Sequence, residues 1–573
     1  MPTPRYFLVA ILASFSITSA HAEKPTPKPQ ESFAAYWTAE SGWDTDLRLR
    51  NNLAAGNLTV TPVLRLADGR EIVLEAQTIP SNGSVSVPVG EALSKRAPGL
   101  LNQPTAFGSV AFRYTSLHAR NLSVAVMVHM HGQPIGYHFD AYPVSKSDQP
   151  GSIEGIWWQP HPGTKNVLAF SNGSDKSVRG TLFLFDAAGK TWHKAIALAP
   201  HQTQRMSVAT LVRTARLGGS YGGFKLELPS HALAIDSVHF LYDESVGFSA
   251  LMKTFDHDPA AKLEERTWAG NKQWTAWAPM LALRTPDPAA GFPVGTTLEP
   301  TVMVRNTTAN RTSATVSLSW RGDSGKGKAA LPELSLSPFE TRMLDIGAMQ
   351  KQLQIPDDAH WALVTLTSPA SPDDLIAIAA SYDSTGRYGA QTPFSDNLGS
   401  YWSGGQWEVD STHNALIAVT NGGSRPTDAL LTIHYDNGRQ KYEVQQTIAV
   451  GDQIWLNVAE LIRNQVPDRK GRTLPSDPDC GHIRVGRSES RIRWEFDRRK
   501  SLAGQDLGTP RLRLHPVLRL LALSFSRYAG FRGRRGWRNL CVRNQQLHGH
   551  QRLRAEQLLC QDWRLVERQY SYG

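Results

Sequence analysis

The sequence predicts an all-β protein of tandem β-sandwich domains, and three observations predict it. Short strands with period-2 alternation of apolar and polar residues recur along most of the 573 residues. Turn residues punctuate them about every 8–12 positions, the spacing typical of sandwiches. The same order of strands and turns returns four times, beginning at Asp46, Asn166, Pro300 and Asn414, which marks an internal repeat.

Each repeat opens on a short strand ending at an asparagine, Asn51, Asn172, Asn306 or Asn421. Asparagine suits a turn because it tolerates the left-handed conformation and hydrogen-bonds its own backbone. A second alternating strand follows, such as Thr181-Leu182-Phe183-Leu184-Phe185 or Leu431-Thr432-Ile433-His434-Tyr435, and runs into Asp68-Gly69, Gly189 or Asn437-Gly438. Asp-Gly and Asn-Gly between alternating runs are hairpin signals. A third strand rises to Pro80, Pro200 or Pro338, with Val450-Gly451 in the fourth repeat, and a fourth strand leads to a segment ending in Leu93, Leu211 or Leu461. The first three repeats have a second half of two more strands, from Gly108, Gly222 and Trp361, in which Tyr242-Asp243 and Tyr382-Asp383 occupy matching places. The domains so predicted span 33–145, 152–257, 266–397 and 399–479. The last has only its first half, which would leave an apolar sheet face uncovered.

Tryptophans precede each repeat: Trp37 and Trp43, Trp157 and Trp158, Trp274 and Trp277, Trp402 and Trp407. Packing in cores and between domains is the expected role. The functional counterpart is a stacking platform for sugar rings, for which Trp157, Trp158, Trp402 and Trp407 are the candidates for ligand contact.

Residues 1–22 read as a secretory signal peptide: Arg5 supplies the positive start, the run from Tyr6 to Ala20 is mostly apolar, and Ala20-His21-Ala22 places small residues at the cleavage site. The mature chain is expected to start at Glu23, with a Pro-rich spacer over 23–32, to be secreted, periplasmic or at the cell surface, and to carry no transmembrane anchor.

The strand spacing and the Asn, Gly and Pro turn positions resemble those of bacterial exported proteins built from tandem immunoglobulin-like β-sandwiches. The resemblance covers roughly Phe33 to Leu461. It implies a cell-envelope or extracellular role in adhesion, binding or scaffolding, with a surface glycan or another envelope protein as partner, and it transfers no catalytic residue.

No motif carries chemistry of its own. Arg321-Gly322-Asp323-Ser324-Gly325 contains an integrin-type tripeptide and a serine-protease-like Gly-Asp-Ser-Gly, but it falls where the third repeat needs a hairpin turn, and no partner histidine segment accompanies it. His129 and His131 alternate on one strand near His138 and Asp140; two imidazoles and a carboxylate suit zinc, but no spacing fixes a further ligand. Asp256-His257-Asp258 reads as a solvated turn after the second repeat. With no phosphate loop, dinucleotide motif or nucleophile elbow, the chain reads as non-enzymatic, without cofactor or metal. The rival reading is a secreted carbohydrate-active or accessory enzyme with its site in the sandwich loops.

The net charge of +10 is unevenly placed. Residues 1–479 carry 41 Lys+Arg against 44 Asp+Glu, whereas residues 480–573 carry 20 against 7 and hold all three cysteines, Cys480, Cys541 and Cys560. The acidic body excludes nucleic acid as its partner. The Arg-rich tail is expected to fold poorly. It reads as a disordered extension or as text out of the natural reading frame: one-base-shifted codons permitted by residues 502–520 give text closer to a secreted β-protein.

Overall fold

The computed structural model describes residues 26–487 and 518–526, save residues 54, 134, 145–147, 258–272, 288–291, 293–294, 384–388, 395–400, 408, 410–412, 424, 437 and 477–480. Met1–Tyr528 forms one compact unit; the second, Ala529–Gly573, lies outside the described residues, as do the three cysteines.

The first sandwich comprises β1 (Lys28–Thr38), β2 (Trp43–Asn51), β3 (Leu58–Leu66), β4 (Glu71–Val73), β5 (Gln77–Ile79), β6 (Ser84–Pro88), β7 (Phe107–Ser116), β8 (Leu122–Met130), β9 (Gly136–Asp140) and β10 (Tyr142–Pro143). The second comprises β11 (Gly151–Trp158), β12 (Lys165–Asn172), β13 (Val178–Asp186), β14 (Thr191–Leu198), β15 (Thr203–Ser207), β16 (Tyr221–Leu228), β17 (Ile235–Asp243), β18 (Phe248–Met252) and β19 (Thr254–His257). The third comprises β20 (Trp274–Ala282), β21 (Leu298–Asn306), β22 (Thr312–Gly322), β23 (Gly325–Ala330), β24 (Leu334–Leu336), β25 (Thr341–Asp345), β26 (Ala359–Ser368), β27 (Leu375–Asp383) and β28 (Gly389–Pro393). The fourth comprises β29 (Tyr401–Trp407), β30 (His413–Asn421), β31 (Thr427–Tyr435), β32 (Gln440–Ile448), β33 (Gln453–Asn457), β34 (Gly481–Arg487) and β35 (Leu518–Ser526).

One topology serves all four. The first sheets run β1-β7-β3-β4, β11-β16-β13-β14, β20-β26-β22-β23 and β29-β34-β31-β32; the second sheets run β6-β2-β8-β9, β15-β12-β17-β18, β25-β21-β27-β28 and β33-β30-β35. Alternation explains the layers. In β2, Leu47 and Leu49 face the first core, and in β31, Ala429, Leu431 and Ile433 face the fourth. Each sandwich has its own core, and each fully buried leucine or valine contributes about 1.5–3 kcal/mol. Among the described residues no helix is long and apolar enough to cross a membrane.

The repeated asparagines are fully buried, and their structural reason differs from the left-handed turn the sequence suggested. None has a positive φ; the side chain is what the fold uses. Asn172 donates to the carbonyls of Lys176 (2.7 Å) and Ala199 (3.0 Å) and accepts from the Ser174 amide (3.0 Å). Asn306 does the same with Asn310, Ser337 and Thr308, Asn51 with Gly56, Ile79 and Leu53, and Asn421 with Arg425, Ile448 and Gly423. Each amide thus ties its own turn to the turn that opens the next strand of its sheet.

A second repeated device is an indole. Trp37, Trp157 and Trp407 donate Nε1–H to the carbonyls of Arg65 (3.2 Å), Phe185 (2.8 Å) and His434 (3.0 Å), in each case the penultimate residue of the third strand. The core role expected for these tryptophans has this hydrogen bond as its cause, since a buried N–H must find an acceptor.

Successive sandwiches meet through matching turns. The Thr203 amide donates to Ala67 O (3.2 Å), and the Thr341 amide donates to Ala187 O (3.0 Å). At these turns Gly69 and Gly189 approach so closely that a Cβ would lie 2.5 Å from Pro200 O and 2.4 Å from Pro338 O. The third and fourth sandwiches meet through Lys326 and Asp452 (3.1 Å) and through Trp361 and Trp455, whose rings are 6.0 Å apart. At the second junction Arg305 is fully buried over the Phe185 ring (4.5 Å), with Glu154 at 3.8 Å. Burial pulls the Arg305 guanidinium down to about 10.

The strands depart from the sequence expectation in three places. Lys28–Gln30 of the spacer belong to β1, where Pro29 is tolerated because β10 flanks only Ser32 and Phe33. Asp256 and His257, expected in a solvated turn, instead form β19 and pair with Ile153 and Ser152 at the sheet edge. Two segments of the tail enter the fourth sandwich: β34 pairs with β29 and β31, and β35 pairs with β30. The connection from the central strand of one sheet to the partner of the second strand spans 117–121, 229–234 and 369–374 in the first three sandwiches, but 488–517 in the fourth.

One buried histidine makes the second sandwich sensitive to acid. His239 is fully buried with Nε2 2.7 Å from Asn166 Oδ1, and burial pulls its imidazole from 6.5 to about 3. The unfolded chain therefore takes up a proton first as pH falls. The stability carried by the neutral ring is present above about 6.5 and is lost towards about 3. Asp236, pushed up to about 7 by burial and then by the Asp256 charge, acts in the opposite sense, so the informative comparison is with a variant. The urea midpoint is expected to fall less between pH 7 and pH 4 in His239→Gln than in the unaltered protein; equal falls would contradict this.

Candidate functional site

An opening with convergent polar and aromatic groups lies at the first junction. It is a cleft of about 740 Å³, within the range of ligand sites. β1 and β2 supply Tyr36, Thr38 and Trp43 from one side; β12, β15 and β17 supply Lys165, Arg205 and Tyr242 from the other.

Its aromatic wall is built by stacking across the junction. Trp43 and Tyr242 meet edge-on with centroids 5.2 Å apart, and Tyr137 stacks on Phe240 at 4.5 Å. Trp43 and Tyr242 are half-buried, whereas Tyr36 and Tyr137 lie within the packed wall. Burial pushes the Tyr36 phenol up to about 12 and the Tyr137 phenol well above its ordinary value, so both remain neutral donors.

Every cation described in the cleft has a carboxylate against it. Arg205 donates to Glu40 (Nη2 to Oε1, 2.9 Å) and to the Tyr36 hydroxyl (2.8 Å), and its guanidinium lies over the Phe107 ring at 4.1 Å. Burial pulls Arg205 down, but the Glu40 hydrogen bond and charge outweigh it and push it above its usual range. Lys165 pairs with Glu244 and sits 5.1 Å over the Tyr242 ring. Gln159 and Asn102 add neutral amides to the lining. The cleft therefore offers aromatic surface and neutral hydrogen-bonding groups, and its charges are spent on each other.

The tryptophans singled out from sequence are placed differently. Trp157 is 1% exposed, Trp158 3% and Trp407 1%; rings so enclosed present no face to a ligand. Trp157 and Trp407 hold their carbonyl acceptors, and Trp158 packs edge-on against Tyr382 (4.9 Å) at the second junction. The side chain of Trp402 lies outside the described residues. His129 and His131 stand 5.6 Å apart edge to face, with Asp46 3.9 Å from His129. Among the described residues no group of three or more His, Cys, Asp or Glu is placed to hold a metal ion. Residues 321–325 form the β22–β23 turn, where Gly322 pairs with Gly325; Ser324 Oγ donates to Asp358 (2.9 Å), not to an imidazole.

No family model matches the chain, and no curated protein matches it. A solved structure described as a tetra-tandem repeat in the extending region of a large adhesion protein aligns over 78% of this chain and 99% of its own, at 10% identity and a TM-score of 0.09. At that score the alignment carries no argument about fold or function.

Proposed function

We propose that the chain is an exported, non-catalytic scaffold of a bacterial envelope and that the cleft at its first junction binds a neutral, polyhydroxylated ligand such as a surface glycan. The observation that carries this reading is the chemistry of the cleft: half-buried Trp43 and Tyr242 beside amide and hydroxyl groups, with Arg205–Glu40 and Lys165–Glu244 already paired. Aromatic rings stack on sugar C–H faces and neutral polar groups bond hydroxyls, whereas an ionic ligand would have to break an ion pair. The pairing also bears on the rival enzyme. A glycosidase needs two carboxyl groups free to act across the glycosidic bond, whereas Glu40 and Glu244 are engaged by Arg205 and Lys165. Export rests on the 1–22 leader, and the envelope setting on the immunoglobulin-like resemblance; another envelope protein remains the alternative partner.

A glycan array probed with the intact chain and with Trp43→Ala tests this. Trp43 lies at the cleft wall, partly exposed, so its removal is expected to lower affinity for any bound glycan at least tenfold while the second to fourth sandwiches melt unchanged. Retained binding in Trp43→Ala, or no glycan bound by either protein, would contradict the assignment. For the tail, 480–573, we propose a shifted reading frame, supported by its change in composition: 20 Lys+Arg against 7 Asp+Glu, where residues 1–479 carry 41 against 44. Sequencing the gene across Cys480 tests it: codon-position bias continuing unbroken in the printed frame would refute it.

A further inference from the structure

The turn contact that joins the first sandwich to the second and the second to the third has a further copy, and it lies between the fourth sandwich and the first. Gly438 occupies in the fourth sandwich the place that Gly69 and Gly189 hold in theirs, and all three have positive φ (79°, 90° and 87°). A Cβ on Gly438 would lie 2.3 Å from Asn82 O. Asn82 (φ 56°) belongs to the same turn of the first sandwich as His201 (φ 59°) in the second and Phe339 (φ 58°) in the third, the turns that receive Gly69 and Gly189.

The burial of the two sheet faces agrees. Leu47 and Leu49 point into the first core, so Arg50 lies on the outer face of its sheet; yet it is fully buried. Its counterpart Arg305, likewise next to the repeated asparagine, is buried because the preceding sandwich covers it. On the outer face of the fourth sandwich His434, the counterpart of Phe185 beneath Arg305, is only 9% exposed. Neither face has the exposure expected of the open end of a linear array.

We infer that the fourth sandwich docks on the first within one chain, through Gly438 and the 80–83 turn, so that the four repeats form a closed cycle in which three of the four junctions use the glycine turn contact. Such an interface forms filaments when the rotation between units does not close and a finite body when it does. Closure leaves no sandwich face free to recruit a second copy.

The test is a disulfide between the two turns. With Cys480, Cys541 and Cys560 changed to Ser, Asn82→Cys and Gly438→Cys are combined. A Cβ at 438 falls 2.9 Å from that of residue 82, and a disulfide needs about 3.5–4.5 Å, a small adjustment of two surface turns. Mild oxidation is expected to convert most of the protein to an intramolecularly bridged monomer. Gly69→Cys with His201→Cys serves as the positive control, and Asn82→Cys with Gly189→Cys is expected to stay reduced. Disulfide-linked dimers from the 82/438 pair would mean that the partner is a second copy and would overturn the inference. So would a 82/438 pair that stays reduced while the control bridges.

Discussion

Asn172→Ala is expected to destabilise the second sandwich by about 2–4 kcal/mol, because it removes three hydrogen bonds, each worth about 0.5–1.5 kcal/mol net. The partners are the carbonyls of Lys176 and Ala199 and the amide of Ser174, and the Asn172 side chain that holds them is fully buried. Asn172→Asp separates this account from turn propensity. Aspartate suits turns as well as asparagine does, but its carboxylate cannot donate to two carbonyls. The account predicts that Asp is as damaging as Ala in a urea titration or in calorimetry; an Asp variant near the stability of the unaltered protein would contradict it. Because the clamp recurs, Asn306→Asp in the third sandwich is expected to act alike.

The second large effect concerns the junction between the second and third sandwiches. Glu154→Ala removes the carboxylate 3.8 Å from the fully buried Arg305. Leaving a buried charge uncompensated costs about 3–5 kcal/mol, whereas replacing such a pair by apolar side chains is neutral or stabilising. Glu154→Ala alone is therefore expected to lower the unfolding midpoint strongly, and Arg305→Met added to it to restore most of the loss. Additive effects in the double variant would mean that the two residues are not coupled across the junction. The fit is tight on the other side as well: a Cβ at Gly223 would lie 2.0 Å from Arg305 Nε, so Gly223→Ala is expected to loosen the same junction.

Strand order was legible because period-2 alternation and turn residues are local properties. The asparagines could be picked out as a repeat for the same reason, but their role could not, since each amide bonds a turn such as that of Ala199 or Ser337, far along the chain. The cleft escaped the sequence for a related cause. Glu40 and Arg205 come from different sandwiches, and nothing local to either marks it as half of an ion pair. Trp157 and Trp407 invited a surface role because indoles often stack ligands; the acceptors that bury them are carbonyls of another strand. β34 was readable: Ile483 and Val485 alternate with Arg484 and Gly486, but the arginine content of the tail masked a strand whose Ile483 is fully buried.

The assignment of a binding cleft to the first junction is tested most directly by isothermal titration of the intact protein and of Trp43→Ala with the glycan that the intact protein selects on an array. At that junction Trp43 and Tyr242 are half-buried and line the cleft. The prediction is binding by the intact protein that is at least tenfold weaker in Trp43→Ala, with the glycan recovered unchanged by mass spectrometry afterwards. Equal binding by the two proteins, or a glycan recovered cleaved, would contradict the account.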